Sequence, residues 1–129
     1  MTPSADAHVH LFAGGYGRAP AGEDELAVYE ELRDRHGIRT ALVVGYEGDA
    51  RYAGNNGHVL ALAAERDWIA PVPHLSLGAG EAAPTADELA DLAAAGAVGF
   101  ALYLNGAAEG RALASLAQHT LDELNAQGA

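Results

Sequence analysis

Asp6-Ala7-His8-Val9-His10-Leu11-Phe12 lies near the start of the chain, and everything after it is organised around what this stretch does. Ala5 to Leu11 reads as a β-strand, and residues two apart on a strand point to the same side. His8 and His10 therefore project together, about 6–7 Å apart along the strand. At that spacing two imidazoles can converge on one first-row metal ion at ~2.0–2.1 Å each. The glycines that follow, Gly14, Gly15 and Gly17, leave the end of the strand open. An H-x-H by itself is also what two polar residues at a strand end look like, so the surrounding pattern has to decide.

Beyond this strand, short apolar runs alternate with amphipathic segments. Glu23 to Arg35 reads as a helix with acidic residues at its start, Leu26, Tyr29 and Leu32 on one stripe, and Gly37 at its end. Ile38 to Gly45 ("IRTALVVG") is a second strand, nearly continuously apolar in its second half, as buried parallel strands are. Asn55 and Asn56 are good N-caps for a second helix through Asp67. Trp68 to Leu75 is a third strand, although Pro71 and Pro73 each remove a ladder donor from it. Thr85 and Glu88 are spaced as a capping box for a third helix ending near Gly96. Val98 to Leu104 ("VGFALYL") is a fourth strand. Glu109 to Gln127 is a fourth helix, with Leu113, Leu116, Leu121 and Leu124 on one stripe.

The expected fold is thus α/β: four consecutive βα units with a parallel sheet, as one domain over residues 1–129, either an open sheet with helices on one face or half of a (β/α)8 TIM-type barrel. A full barrel takes roughly 250 residues, so the pattern stops before a fifth strand. A half sheet of this kind has two open edges and an uncovered inner face. It should therefore form a homo-oligomer or pair with a missing C-terminal half.

Composition narrows the function. Eighteen carboxylates stand against seven cations, for a net charge of −11, and every cation is arginine. This balance repels phosphate backbones and anionic bilayers, so neither nucleic acid nor membrane is expected as a partner. With no cysteine, any metal must be held by nitrogen and oxygen ligands. With no lysine, Schiff-base chemistry and a bridging carbamylated lysine are excluded. No basic stretch leads into an apolar run at the N-terminus, and no run approaches the ~20 residues of a membrane span, so a cytoplasmic protein is expected.

"DAHVHLF" on the first strand of a βα array resembles the signature of the amidohydrolase superfamily. More closely it resembles the amidohydrolase-related (amidohydrolase 2) branch, which includes aromatic-acid decarboxylases and dicarboxylate lactonases. "HGIRTALVVG", "NNGHVLALAAERDWIAPVPHL" and "LADLAAAGAVGFALYL" are similar to the segments that follow in that branch. The resemblance implies a metal-dependent hydrolase, decarboxylase or lactonase in which His8 and His10 bind a divalent metal, usually Zn2+. The metal activates water for attack on a carbonyl or anchors a carboxylate-bearing small molecule. The branch's remaining ligands, histidines after the fifth and sixth strands and a catalytic aspartate after the eighth, have no counterpart in this chain. "VGFALYL" also lacks the bridging lysine or glutamate of binuclear members, which leaves a mononuclear site or a metal-free one.

Several other residues are candidates for the same strand-end mouth. His74 is placed to contact substrate or supplement the ligands, with a capping or surface role as its alternative. Tyr103 could donate a hydrogen bond to substrate or simply pack. Arg18 could pair with a substrate carboxylate or remain solvated. Asp6 could orient the histidines from behind or serve a turn. His36, His58 and His119 read as structural or solvated helix residues. Two rival readings remain: a catalytically incomplete fragment, and a small α/β ligand-binding domain without activity of its own.

Overall fold

The computed structural model describes residues 2–17, 24–77, 83–116 and 118–126. Three strands, β1 (Ser4–Val9), β2 (Ile38–Val44) and β3 (Ile69–Val72), form one parallel sheet in the order β1-β2-β3. Helix α1 (Glu25–His36) connects the first two strands. A 3-10 turn (Ala50–Tyr52) and helix α2 (Asn55–Glu65) connect the second pair. After β3 come α3 (Ala86–Ala94), α4 (Ala107–Ala114) and α5 (Gln118–Ala126), the last packing on α3. No helix among the described residues is long and apolar enough to cross a membrane.

The strands lie where their apolar runs are densest, because alternate residues must supply the core. Ala41, Val43 and Ile69 point toward the helices and join Leu11, Val59 and Trp68 in one buried cluster, edged by Val9, Leu26, Tyr29, Leu62 and Ala63. Burying a side chain such as Val43 contributes roughly 1.5–3 kcal/mol. Leu42, between two core residues, faces the other side and is 38% exposed. The stripe on α1 is narrower than its sequence suggests, since Leu26 and Tyr29 pack on the core while Leu32 is exposed.

Helix ends follow the cap chemistry. The Asp24 carboxylate accepts the Ala27 N–H at the start of α1. Gly37, at φ 65°, closes the same helix by donating to the Arg33 carbonyl, and His36 lies in its last turn. The capping box of α3 forms as expected, with Thr85 and Glu88 each accepting the other's backbone N–H. Asn55 and Asn56 do not cap α2. Gly54, at φ 83°, occupies that position, and both asparagines sit inside the helix with their side chains committed elsewhere.

Two expected elements change. The fourth strand over Val98–Leu104 is reduced to a single parallel bridge, His74 to Ala101. Val98 and Ala101 donate to the carbonyls of Pro71 and Pro73, and Leu75 donates to Ala101. In a parallel ladder a residue's N–H and C=O point to the same neighbour. The donors missing from Pro71 and Pro73 therefore face this fourth segment, while the bonds to β2 run through Trp68 and Val72 and are untouched. The prolines spare the second ladder and starve the third. The expected helix over Glu109–Gln127 is instead two helices. At the break, Ser115 folds its hydroxyl back onto the Arg111 carbonyl at 2.8 Å, a competing bond that disturbs helices.

Candidate metal centre

β1 carries an irregularity that determines where its histidines point. Asp6 pairs with Ala41 and Val9 with Val43, so three steps on β1 match two on β2. Such a bulge shifts the alternation of faces. Asp6 and Val9 accordingly share the helix side, opposite core residues Ala41 and Val43. His8 and His10 share the other side, with their Nε2 atoms 3.0 Å apart. The bulge, rather than plain alternation from Asp6 onward, sets this face.

The hydrogen bonds of the pair fix its protons. His10 Nδ1 lies 2.7 Å from the Val44 carbonyl, which can only accept, so Nδ1 carries the hydrogen. In neutral His10 the lone pair is then on Nε2. Two donors face that lone pair: His8 Nε2–H at 3.0 Å and the Tyr103 hydroxyl at 3.5 Å. His8 is exposed and His10 half-buried, so the pair opens toward solvent.

This donor set fits a metal ion as a partial site. Two nitrogens about 3.0 Å apart match adjacent ligands at ~2.0–2.1 Å from one ion. A ligating imidazole normally passes its other N–H to a carbonyl or carboxylate, as His10 does. Among the described residues no group of three or more His, Cys, Asp or Glu side chains is close enough together to hold a metal.

Aromatic rings enclose the space above His10. A cavity of about 350 Å³ is lined by His10, Phe12, Tyr16, Tyr46 and Tyr103. Phe12 stacks near His10 at 6.0 Å, and Tyr46 meets Tyr103 edge-on at 5.2 Å. Burial, reinforced by the neighbouring Tyr46, holds the Tyr103 phenol above its ordinary pKa, so it stays a donor. Glu25, in the first turn of α1, fastens one wall by accepting the backbone N–H of Phe12 at 2.9 Å and of Tyr16 at 2.6 Å. The Tyr52 hydroxyl accepts from Gly17 in the same loop.

His74 is buried behind this wall. Its Nδ1 accepts the Glu47 N–H at 2.9 Å, and its ring stacks on Tyr46 and meets Tyr103 edge-on. The structure thus brings Tyr103 to the histidine pair and puts His74 beneath the tyrosines. His58 lies on α2 and His119 on α5. Arg18 falls outside the described residues. Asp6 reaches the pair through the backbone, accepting the His8 N–H at 3.2 Å with one oxygen and the Tyr29 hydroxyl at 3.1 Å with the other. Tyr29 is pushed up to about pKa 12 by burial and by that carboxylate.

The sequence reading passed over Phe12, Tyr16, Tyr46 and Tyr52. One signal was available: of five tyrosines, Tyr16, Tyr46 and Tyr52 lie in the connections that follow β1 and β2.

No protein-family model matches the chain, and no curated protein sequence does. Solved structures do match. One is a probable 2-pyrone-4,6-dicarboxylic acid hydrolase from Acinetobacter baumannii with citric acid bound, at 18% identity and TM-score 0.58, covering 98% of this chain and 47% of that one. Another is an apo structure from Agrobacterium tumefaciens, at 25% identity and TM-score 0.51, covering 74% of this chain and 35% of that one. The chain therefore spans about half the length of the first and about a third of the second. At these identities the likeness is one of fold.

Proposed function

We propose that this chain is the N-terminal half of a TIM-type (β/α)8 hydrolase of the amidohydrolase kind, with His8 and His10 as ligands of a divalent metal. Zn2+ as a single ion suits an all-nitrogen pair with no bridging lysine. The observation that carries this reading is the fixed tautomer of His10: with Nδ1–H held by Val44, its Nε2 lone pair faces His8 Nε2 at 3.0 Å. The structural likeness to a pyrone-dicarboxylic acid hydrolase supports a hydrolase reading of the fold.

When bound, the metal would polarise a substrate carbonyl and supply a nucleophilic water, or anchor a carboxylate where the reaction is loss of CO2. The chain's own residues do the rest. Val44 keeps the His10 lone pair aimed outward. Tyr103, kept protonated by burial, donates a hydrogen bond to a substrate oxygen beside His10. Phe12, Tyr16 and Tyr46 exclude water around a small carbonyl- or carboxylate-bearing substrate. His74 holds the tyrosine wall from behind, and Arg18 is the carboxylate partner. The remaining ligands and the acid/base aspartate come from a C-terminal half.

Metal analysis and a lactone and amide hydrolysis screen on the purified protein test this. Stoichiometric zinc that disappears in both His8→Ala and His10→Ala is expected. Equal metal in wild type and both variants would sink the assignment. A second reading, a ligand-binding domain without turnover, draws on the aromatic cavity and on the two imidazoles satisfying each other. It predicts ring-ligand binding that is indifferent to zinc.

A further inference from the structure

The bulge in β1 costs the ladder a donor. Between Asp6 and Val9 the strand spends one residue more than β2 can match, and the His8 N–H turns to the Asp6 carboxylate at 3.2 Å instead of a neighbouring strand. This N–H is exposed, so water can satisfy it, but only a fixed acceptor holds it in one direction. Asp6 supplies it from two residues away. Its other oxygen is tied to the Tyr29 hydroxyl on α1 at 3.1 Å, which anchors the carboxylate to the helical layer. Without the bulge, Asp6 would share the face of His8 and His10 instead of lying across the sheet from them.

We infer that Asp6 is the positioning residue of the histidine pair: its carboxylate, anchored by Tyr29, stabilises the bulge that presents His8 Nε2 to His10 Nε2. This rests on the reading of the pair as metal ligands, and it assigns Asp6 no contact with metal or substrate. The carboxylate acts through the His8 backbone. What it sets is the distance between two ring nitrogens, hence the fit of one ion to both.

The test compares wild type, Asp6→Ala, Asp6→Asn and Tyr29→Phe by Co2+ titration, by the visible absorption of bound Co2+, and by the imidazole 15N signals of the metal-free proteins. Circular dichroism reports folding. Asp6→Ala is expected to weaken Co2+ binding by about tenfold or more, as loss of outer partners does, and to move the Co2+ bands and the His8 signals. Asp6→Asn should recover near wild-type binding, because its amide oxygen still accepts the His8 N–H. Wild-type affinity and spectrum in a folded Asp6→Ala overturns the inference. Should Asp6→Ala fail to fold, Tyr29→Phe decides: displaced His8 ring signals support the inference, and unchanged ones overturn it. If wild type takes up no Co2+, the metal reading fails separately. The ring signals of the metal-free Asp6 variants, moved or unmoved, still decide the positioning role.

Discussion

Asn56 grips the backbone of His74 from both sides, its Oδ1 accepting the His74 N–H at 2.7 Å and its Nδ2 donating to the His74 carbonyl at 2.8 Å. The amide replaces a strand neighbour on the side of β2, where both β2 and β3 have ended. Asn56→Ala would remove both of these bonds beneath the aromatic wall, at a cost of about 1–2 kcal/mol each. Urea unfolding should show a loss of roughly 2–4 kcal/mol. Asn56→Asp keeps the acceptor but turns a carboxylate oxygen toward the His74 carbonyl, so it should recover little of the loss.

Gly45 is the counterpart of that grip. A Cβ there would sit 2.2 Å from Asn56 Oδ1 and 3.2 Å from the His74 nitrogen, far inside contact distance. Gly45→Ala must push the amide off His74. A destabilisation of about 1–3 kcal/mol is expected, and in the Asn56→Ala background most of it should vanish. Additive losses in the double variant would refute the shared mechanism.

Glu25 holds the loop that carries Phe12 and Tyr16 through two charge-assisted bonds. Glu25→Ala should lower stability by about 1.5–3 kcal/mol. It should also speed amide hydrogen exchange at Phe12 and Tyr16, with exchange in β2 unchanged. Uniform acceleration across the sheet would mean that Glu25 supports the whole fold and not the loop.

Tyr29 gives a signature at high pH. Its folded pKa of about 12 lies above the ordinary 10.0, so the folded state favours the neutral phenol. Between these values the native state binds more protons than the unfolded one, and stability falls as pH rises. The contribution is complete below pH 10 and lost toward pH 12. In Tyr29→Phe the decline in unfolding midpoint over that window should be shallower than in wild type.

Metal retention should be specific to one histidine pair. Zinc uptake should be lost in His8→Ala and His10→Ala and unaffected by His58→Ala on α2. Dialysis followed by elemental analysis measures this. Zinc lost on changing His58 would point to a different site.

The local elements were legible where short-range chemistry decides them. The Thr85–Glu88 box, the left-handed Gly37 and the apolar second half of β2 each carry their own signal, and each stands where the spacing puts it. His8 and His10 were legible as a pair because two residues so close in sequence need no tertiary information to be neighbours. What escaped depends on partners distant in sequence. The bulge exists only as a mismatch between β1 and β2. The roles of Asn55 and Asn56 as tertiary ligands of backbone outweighed their local preference for capping. The tyrosine wall gathers residues 16, 46, 52 and 103, which no single window contains. Pro71 and Pro73 were visible as obstacles, but which neighbour they would deprive depended on the direction of their carbonyls.

Those two prolines also give the sheet a direction of growth. A chain arriving beside β3 finds acceptors at Pro71 and Pro73 and no donor from either, so it can bind only in the broken fashion of residues 98–101. At the opposite margin β1 is the terminal strand of the sheet and carries no proline between Ser4 and Val9. Recruitment of a foreign strand, productive or pathological, is therefore directed to the margin that bears the histidines, where an intruder would run alongside the site itself.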